Sequence, residues 1–253
     1  MNVAEKHIVV TGAASGIGAA LVERFANDGA RAVVAADLGE SRVPAAVGRS
    51  VHCDVSDPGQ LRSLIDDAER RDGPIDLFCS NAGIIGDFGL DASDEVWRRT
   101  IDVNVMAHVW AARLLVPRMI ERGRGYLLHT ASAAGLLTQI GSATYSVTKH
   151  GAVAFAEWLA ITYGDRGLKV SVLCPQAVRT GMTAGTVEGG VAGVDGMLEP
   201  EQVADAVIEG LAAEHFLILP HPEVAEYFQR KATDYERWIR GMRRLQERFP
   251  TGL

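Results

Sequence analysis

The chain has 253 residues, of which 47% are hydrophobic, and this is enough apolar material for a single domain covering residues 1–253. The formal net charge of −7 argues against nucleic acid or an anionic membrane as the main partner. No apolar run approaches the roughly 20 residues that span a bilayer, and the N-terminus lacks the form of a signal peptide, so we expect a cytoplasmic protein.

The three cysteines, Cys53, Cys79 and Cys174, are odd in number and lie far apart in apolar, strand-like runs. Such spacing predicts neither a disulfide framework nor a zinc site. We interpret them as reduced packing residues and predict no metal centre.

A glycine loop at residues 12–18 follows the first apolar run, residues 7–11, and leads into a helical pattern. A strand, a glycine loop and a helix N-terminus form an anion site, because backbone N–H groups and the helix dipole favour a pyrophosphate. The spacing Gly-x-x-x-Gly-x-Gly differs from the usual Gly-x-Gly-x-x-Gly fingerprint, and a plain turn between strand and helix is the alternative interpretation.

The second predicted strand, residues 31–37, ends on Asp37. In a βαβ unit, a carboxylate about 20 residues beyond the glycines accepts hydrogen bonds from the adenosine ribose and repels a 2′-phosphate. Asp37 therefore favours NAD over NADP, and neither Ser15 nor Leu38 offers the cation that a 2′-phosphate would require. Arg42 is the nearby residue that could reverse this preference.

Strand-like runs follow at residues 49–55 and 75–80, and Asn81, Ala82 and Gly83 come directly after the second run. In a doubly wound sheet, the turns after the strands meet at the carboxyl edge, where ligands bind. A turn made of Asn and Gly for purely local reasons is the alternative.

A long helix is predicted from a cap at Ser93 towards Pro117, where a kink or an end is expected. Asn104 lies within it on a packed face, which is costly unless the side chain is hydrogen-bonded. Asn104 is either satisfied structurally or part of a proton path.

A predicted helix over residues 143–163 places Tyr145 and Lys149 on one face, with their Cβ atoms roughly 5–6 Å apart. A free tyrosine has a pKa of about 10, which is too high for efficient proton exchange at neutral pH. An ammonium at ~5 Å and an effective dielectric of ~20 would favour the phenolate by ~3 kcal/mol, or about two pKa units. Ser132, after the fifth strand, adds a hydroxyl that could hold a substrate oxygen. The three side chains suit proton transfer to or from an alcohol, although Tyr-x-x-x-Lys alone is a weak signal.

Runs at residues 168–174 and 216–219 complete a pattern in which strands alternate with helices. This pattern predicts an α/β fold with a doubly wound, Rossmann-type parallel sheet of seven strands flanked by helices. The glycine-rich residues 181–197 are interpreted either as a lid that orders when ligand binds or as a loose surface loop.

A C-terminal extension at residues 221–253 follows the core at 5–220, and one extra helix is predicted there. Its apolar side could pack on the chain's own core, against a second subunit or over the substrate site. The apolar residues are Val224, Tyr227, Phe228, Tyr235, Trp238, Ile239, Met242 and Leu245, and the opposite face carries Arg237, Arg240, Arg243 and Arg244.

The whole set of motifs resembles the short-chain dehydrogenase/reductase family in its single-domain branch, over about residues 5 to 220. The motifs are Thr11-Gly12-x-x-x-Gly16-x-Gly18, Asp37, Asp54-Val55, Asn81-Ala82-Gly83, Asn104, Ser132, Tyr145-x-x-x-Lys149 and Pro175-x-x-Val178-x-Thr180.

The resemblance implies that Tyr145 is the catalytic acid/base, that Lys149 lowers its pKa and that Ser132 positions the substrate oxygen. Asn104 would continue a water relay from Lys149. It also implies a homotetramer or homodimer, with the helices that bear Asn104 and Tyr145 in one interface. The implied NAD-binding residues are Gly12, Ser15, Gly16, Ile17, Gly18, Asp37, Leu38, Asp54, Val55, Asn81, Ala82, Gly83, Tyr145, Lys149, Val178 and Thr180.

Two departures from the family stand out, the C-terminal tail and Gln176, which replaces the glycine most often found after the proline. Gln176 could narrow the substrate side or add a hydrogen-bonding group. The candidate pocket residues favour an uncharged, moderately hydrophobic substrate: Ile84, Ile85, Phe88, Leu136, Leu137, Ile140 and Met182, with Gln139 and Gln176 as polar exceptions.

The function expected from these observations is NAD-dependent interconversion of a secondary alcohol and a ketone. One alternative is a ketoacyl or other carbonyl reductase working in the reductive direction. A second alternative, from another class, is an NAD-binding sensor or scaffold whose tail recruits a partner.

Overall fold

The central sheet of the computed structural model, which describes residues 1–44, 48–185 and 187–249, has seven parallel strands in the order β3-β2-β1-β4-β5-β6-β7. The strands are β1 (His7–Thr11), β2 (Ala32–Asp37), β3 (Gly48–His52), β4 (Leu77–Ser80), β5 (Gly125–Thr130), β6 (Leu168–Leu173) and β7 (Leu217–Ile218). The predicted doubly wound sheet is confirmed, with its switch point between β1 and β4, where ligands bind in such folds.

Helices cover both faces of the sheet. They are α1 (Gly16–Asn27), α2 (Pro58–Asp72), α3 (Asp94–Ile101), α4 (Ala107–Glu121), α5 (Ala134–Leu137), α6 (Ala143–Tyr163), α7 (Pro200–Ala213), α8 (Glu223–Thr233) and α9 (Tyr235–Arg248). Helices α2, α4 and α6 share one apolar cluster, and α1 and α7 share the other. Side chains alternate along β1, since Val9 belongs to the first cluster while Ile8 and Val10 belong to the second. The sheet is therefore buried on both faces, as parallel sheets usually are.

The long helix predicted from Ser93 is interrupted, but not at Pro117. The Ser93 hydroxyl accepts from the Val96 N–H at 3.3 Å, and a π-helical turn at Asp102–Met106 separates α3 from α4. Helix α4 runs past Pro117 to Glu121, because its buried face continues across the proline through Met119. The irregular turn falls instead on Asn104, and such turns are frequent at functional sites.

The C-terminal extension holds two helices where one was predicted. Asp234, with φ of −148°, separates α8 from α9, and its side chain accepts from the Arg237 N–H at 2.9 Å. Helix α8 buries Val224 and Lys231, whereas α9 buries no residue. The predicted extension at 221–253 and the predicted loop at 181–197 also include positions 250–253 and 186, which lie outside the described ranges.

The cysteines are buried and free, and burial raises the pKa of the Cys53 thiol to about 11 and that of Cys174 to about 12. In the described ranges, no three His, Cys, Asp or Glu side chains are placed to hold a metal ion. None of the described helices combines the length and apolarity that crossing a bilayer requires.

Candidate active site

The glycine loop packs tightly against two other predicted site segments. A Cβ on Gly12, which has φ of +67°, would lie 2.7 Å from the Ala82 Cα atom. A Cβ on Gly16, with φ of +55°, would lie 2.9 Å from the Thr180 Cγ2 atom. A Cβ on Gly18 would lie 2.0 Å from the loop's own backbone oxygen. The structure thus brings the loop, the turn after β4 and the segment after β6 together at the carboxyl edge of the sheet.

The N-terminus of α1 has the features of an anion site. Ser15 is its N-cap residue but its side chain makes no capping hydrogen bond, and the first turn, which includes Ile17, has no acid. Asp37, at the end of β2, accepts from the Ala14 N–H at 2.9 Å. Beside it, Leu38 exposes 56% of its surface. Free backbone donors therefore lie next to a fixed carboxylate and an exposed apolar side chain.

Asp54 is held by neighbours that the sequence did not reveal. Its carboxylate accepts from the Ser56 hydroxyl at 2.7 Å and forms an ion pair with Arg99 at 3.1 Å. Burial raises the pKa of Asp54, but hydrogen bonds from Ser56 and Arg99 outweigh burial, so the pKa lies below its usual value. Val55, which follows, is buried. These contacts fix the turn after β3.

Asn81 ties three strand ends together. Its side-chain amide donates to the Thr11 carbonyl at 3.0 Å, and its side-chain oxygen accepts from the Thr130 hydroxyl at 3.0 Å. The turn at 81–83 therefore has a tertiary role across the switch point. Gly83 closes it, and a Cβ there would lie 3.2 Å from the Lys149 Nζ atom.

Asn104 is fully buried and fully hydrogen-bonded. Its side-chain oxygen accepts from the Ile84 N–H at 2.9 Å, and its amide donates to the Ile84 carbonyl at 2.8 Å and to the Thr148 hydroxyl at 3.0 Å. These contacts join the turn after β4 to helix α6, and a role for Asn104 in a proton path stays a prediction. Thr148 was not recognised from the sequence.

Tyr145, Lys149 and Ser132 converge as predicted. The Lys149 Nζ atom lies 5.5 Å from the centroid of the Tyr145 ring and donates to the Thr130 carbonyl at 3.0 Å. The Ser132 hydroxyl accepts from the Ala134 N–H at 3.1 Å and lies close enough to the Tyr145 phenol to lower its pKa. The Ser142 hydroxyl, which accepts from the Tyr145 N–H at 3.3 Å, caps α6 and fixes its start.

The pKa of Tyr145 does not follow the sequence-based expectation. Burial raises this pKa, and the nearby Ser132 hydroxyl only partly opposes it. Burial also lowers the pKa of Lys149 from 10.5 to about 8, so the ammonium itself is poorly solvated. The lowering of the phenol pKa that the sequence predicted from Lys149 is therefore not seen in the structure, where burial of the phenol acts in the opposite direction. A further positive charge beside the phenol would lower its pKa.

A cavity of about 1800 Å³ opens in front of Ser132 and Tyr145. The predicted pocket residues that line it are Ile85, Phe88, Leu137, Gln139, Ile140, Gln176 and Met182. Ile84 and Leu136, which were also predicted, pack instead against the apolar core. The loop after β6 and both tail helices complete the wall, including Trp238 and Met242 of α9. The tail packs on the chain's own core, where Val224 is buried, and it also lies over the candidate substrate site. The third predicted role, packing against a second subunit, stays a prediction.

Asp195 joins three segments of this wall. Its carboxylate accepts from the Tyr227 hydroxyl at 2.8 Å and from the Gln176 side-chain amide at 3.1 Å. We call this arrangement the Asp195 bridge. Burial, followed by the hydrogen bond to Asp195, raises the pKa of Tyr227 to about 12. The two departures from the family are thus connected, and Gln176 was the only sequence signal for the bridge.

A buried pair of histidines was not predicted from the sequence. The Nδ1 atoms of His108 and His129 lie 2.8 Å apart and the rings are stacked. Burial lowers the pKa of His129 to about 4 and holds that of His108 well below its usual value, so both rings are neutral. They lie on α4 and β5, behind the turn that Asn81 organises.

Comparison with known proteins agrees with this geometry. The family model described as short chain dehydrogenase matches residues 6–189. The 1-deoxy-11-beta-hydroxypentalenate dehydrogenase of Streptomyces exfoliatus is 38% identical over 235 residues, which cover 88% of this chain and 86% of that protein. Epidermal retinol dehydrogenase 2 of Homo sapiens is 30% identical over 238 residues, covering 87% and 75%. A crystal structure of a short chain dehydrogenase/reductase from Burkholderia phymatum in complex with NAD has a TM-score of 0.84 at 28% identity and covers 93% of this chain and 96% of its own. The chain therefore belongs to the short-chain dehydrogenase/reductase family of oxidoreductases.

Proposed function

We propose that this protein interconverts a secondary alcohol and a ketone, with NAD as the hydride carrier and Tyr145 as the general acid/base. The observation that carries the proposal is the placement of the Ser132 and Tyr145 hydroxyls together at the wall of the cavity, with the Lys149 ammonium behind the ring. A hydroxyl pair that faces a cavity can hold a substrate oxygen and exchange a proton with it.

The residues at the carboxyl edge of the sheet fit a dinucleotide. The tight contacts at Gly12 and Gly16 leave no room for side chains, and the N-terminus of α1 offers free donors for a pyrophosphate. Asp37 would accept from the adenosine ribose hydroxyls and repel a 2′-phosphate, which favours NAD over NADP. When bound, the nicotinamide exchanges a hydride with the substrate carbon. The NAD in the related Burkholderia phymatum structure supports this assignment.

Side chains of the protein itself transfer the proton. Ser132 would orient the substrate oxygen, and Tyr145 would take or give the proton at its phenol oxygen. Lys149 would favour the phenolate, and a cationic oxidised nicotinamide beside it would supply a further positive charge that lowers the pKa of Tyr145. Asn104 would keep the turn after β4 and helix α6 in register, so that Lys149 stays in place.

The size and lining of the cavity support a bulky, largely apolar substrate. The relatives are named for a hydroxypentalenate and for retinol, and the wall here is formed mainly by apolar side chains such as Ile85, Leu137 and Trp238. The cavity of about 1800 Å³ exceeds the roughly 300–1,000 Å³ of ordinary ligand pockets.

Replacing Tyr145 with phenylalanine tests the proposal. Turnover of secondary alcohols with NAD should fall at least about a hundredfold, because the proton acceptor is lost. NADH binding, followed by tryptophan fluorescence, should persist. The matched control is Tyr163→Phe, which makes the same change in the same helix away from the cavity. A near-normal rate for Tyr145→Phe would refute the role of this residue.

We also propose that the protein forms a homo-oligomer through helix α6. Val147, Trp158 and Ile161 lie on one face of this helix and are 56%, 52% and 80% exposed. An exposed apolar stripe of this kind is typical of a subunit interface. Trp158→Glu should lower the molar mass measured by light scattering. An unchanged mass would reject this interface.

A further inference from the structure

The tail is fixed against the candidate active site through helix α8. The Asp195 bridge holds Tyr227, and the buried Lys231 ammonium donates to the Leu136 carbonyl at 2.6 Å. Leu136 belongs to α5 and lies four residues after Ser132 in the chain. Helix α8 is therefore part of the wall of the site, and it fixes the position at which α9 begins.

Helix α9 turns an apolar stripe towards the cavity. It buries no residue, yet Trp238, Met242 and Leu245 line the cavity at the spacing of one helical face. Trp238 packs partly against the apolar core, and none of the three side chains is fully buried. The space in front of them is continuous with the space in front of Tyr145. A large apolar body that extends from the reacting carbon would fill it.

A second stripe beside the apolar one is cationic. Arg237, Arg244 and Arg248 also line the cavity. No carboxylate among the described residues lies within ion-pair distance of these three guanidinium groups, whereas Arg230 pairs with Glu226 at 3.0 Å. Arg244 and Arg248 are four residues apart, a spacing at which like charges destabilise a helix. An anion bound between them would remove that repulsion.

Among the described residues, none of the acids in the cavity wall forms an ion pair with this stripe. Glu226 is paired with Arg230, whereas Asp195 and Asp234 accept hydrogen bonds from neutral donors and keep their negative charge. The wall as a whole carries four acids and four arginines, and its unpaired arginines are concentrated on α9.

We propose that the substrate is a bulky, largely apolar hydroxy acid or keto acid whose carboxylate binds Arg244 and Arg248 while its oxidisable carbon lies at Tyr145. This proposal rests on the proposed function. In the oxidative direction the hydroxy acid would give its hydride to NAD and its hydroxyl proton to Tyr145, which yields the keto acid, NADH and one proton. The planar guanidinium forks match the geometry of a carboxylate. The sequence had favoured an uncharged substrate, and the α9 arginines are the reason to replace that expectation.

The residues on the outward face of α9 distinguish a small carboxylate from a membrane as the partner of this helix. Arg240 and Arg243 are exposed there and alternate with Glu236 and Glu247, a mixed surface that does not favour an anionic membrane. These two arginines do not line the cavity, so they supply a matched control on the same helix.

The test compares carboxylates with their neutral esters. The probes are lithocholic acid and a panel of hydroxylated terpenoid acids, each paired with its methyl ester, and binding to the full chain is measured by calorimetry. For at least one pair, the acid should bind about tenfold more tightly than the ester, as charge-assisted hydrogen bonds predict. The ratio should fall towards one in Arg244→Gln/Arg248→Gln and should shrink at high salt. Arg240→Gln/Arg243→Gln should keep the ratio of the unmodified chain.

Two results would overturn the proposal. One is equal or weaker binding of every acid relative to its ester, which is expected if α9 covers a second copy or a membrane instead. The other is a preference for acids that survives in Arg244→Gln/Arg248→Gln. If the protein binds the acids more tightly but oxidises none of the probes with NAD or NADP, the result would support the arginine site. It would count against the proposed redox function.

Discussion

Replacing Lys149 with methionine should stabilise the fold while removing catalytic function. Lys149 is 3% exposed, and burial lowers its pKa from 10.5 to about 8. At neutral pH the chain therefore keeps a buried ammonium whose charge the fold disfavours. Methionine has a similar length and no charge, so it can occupy the same space.

The expected gain follows from the pKa shift. The fall of the Lys149 pKa from 10.5 to about 8 corresponds to a cost of ~3 kcal/mol for holding the charge in the folded state. The hydrogen bond from Lys149 to the Thr130 carbonyl is lost in the variant, which costs ~1 kcal/mol. The free energy of unfolding should therefore rise by ~2 kcal/mol at neutral pH.

The difference in the free energy of unfolding between the two chains should depend on pH. Between about pH 8 and pH 10.5 the unfolded chain still binds the lysine proton while the folded chain has released it. The unfolded state binds more protons, so the free energy of unfolding of the unmodified chain rises with pH across this window. Lys149→Met lacks this contribution, and its advantage should disappear as pH increases through the window.

Urea unfolding at several pH values measures both effects. The control is Lys169→Met, which removes an exposed lysine paired with Glu214 at 3.0 Å and should change stability by less than about 1 kcal/mol. Lower stability of Lys149→Met at neutral pH, or a difference that does not vary between about pH 8 and pH 10.5, would refute the reasoning. Turnover of secondary alcohols should fall sharply in the same variant.

Three further variants test other parts of the site. Asp37→Ser should shift the ratio of NADP to NAD affinity by about tenfold or more towards NADP, measured by calorimetry, because the repelling carboxylate is gone, and an unchanged ratio would speak against Asp37 as the selector. Gly18→Ala places a Cβ 2.0 Å from a backbone oxygen, so it should lose ~1–3 kcal/mol of stability and most NADH binding, whereas Gly164→Ala, where no atom lies within 4 Å, should lose neither. Tyr227→Phe removes the hydrogen bond to Asp195 at 2.8 Å and should raise KM about fivefold with little change in kcat, and an unaltered KM would show that the bridge does not shape the substrate site.

The local parts of the fold were accessible from the sequence. The bounds of α6 at Ala143–Tyr163 and of β1 at His7–Thr11 agree with the predictions, since periodicity and capping operate over a few residues. The convergence of Ser132 with Tyr145 also followed, because the carboxyl ends of parallel strands share one edge of the sheet.

The remaining features depend on contacts between distant residues. The π-helical turn at Asp102–Met106 accompanies hydrogen bonds between Asn104 and Ile84, which lies 20 residues earlier in the chain. The raised pKa of Tyr145 is set by burial, which only the assembled cavity determines. In the tail, helical spacing was recognised but the break at Asp234 was not, because a single capping residue ended one helix and began the next.

The attachment of the tail has a consequence for how such an enzyme can diversify. The residues proposed for proton transfer lie on or directly after interior strands and helices. Helices α8 and α9 come after the last strand, and α8 contacts the site from outside through Asp195 and the Leu136 carbonyl. Changes in this appendage can alter which molecules are admitted without disturbing the reacting groups. Grafting the last two helices between relatives is thus a direct route to new selectivity on an unchanged catalytic scaffold.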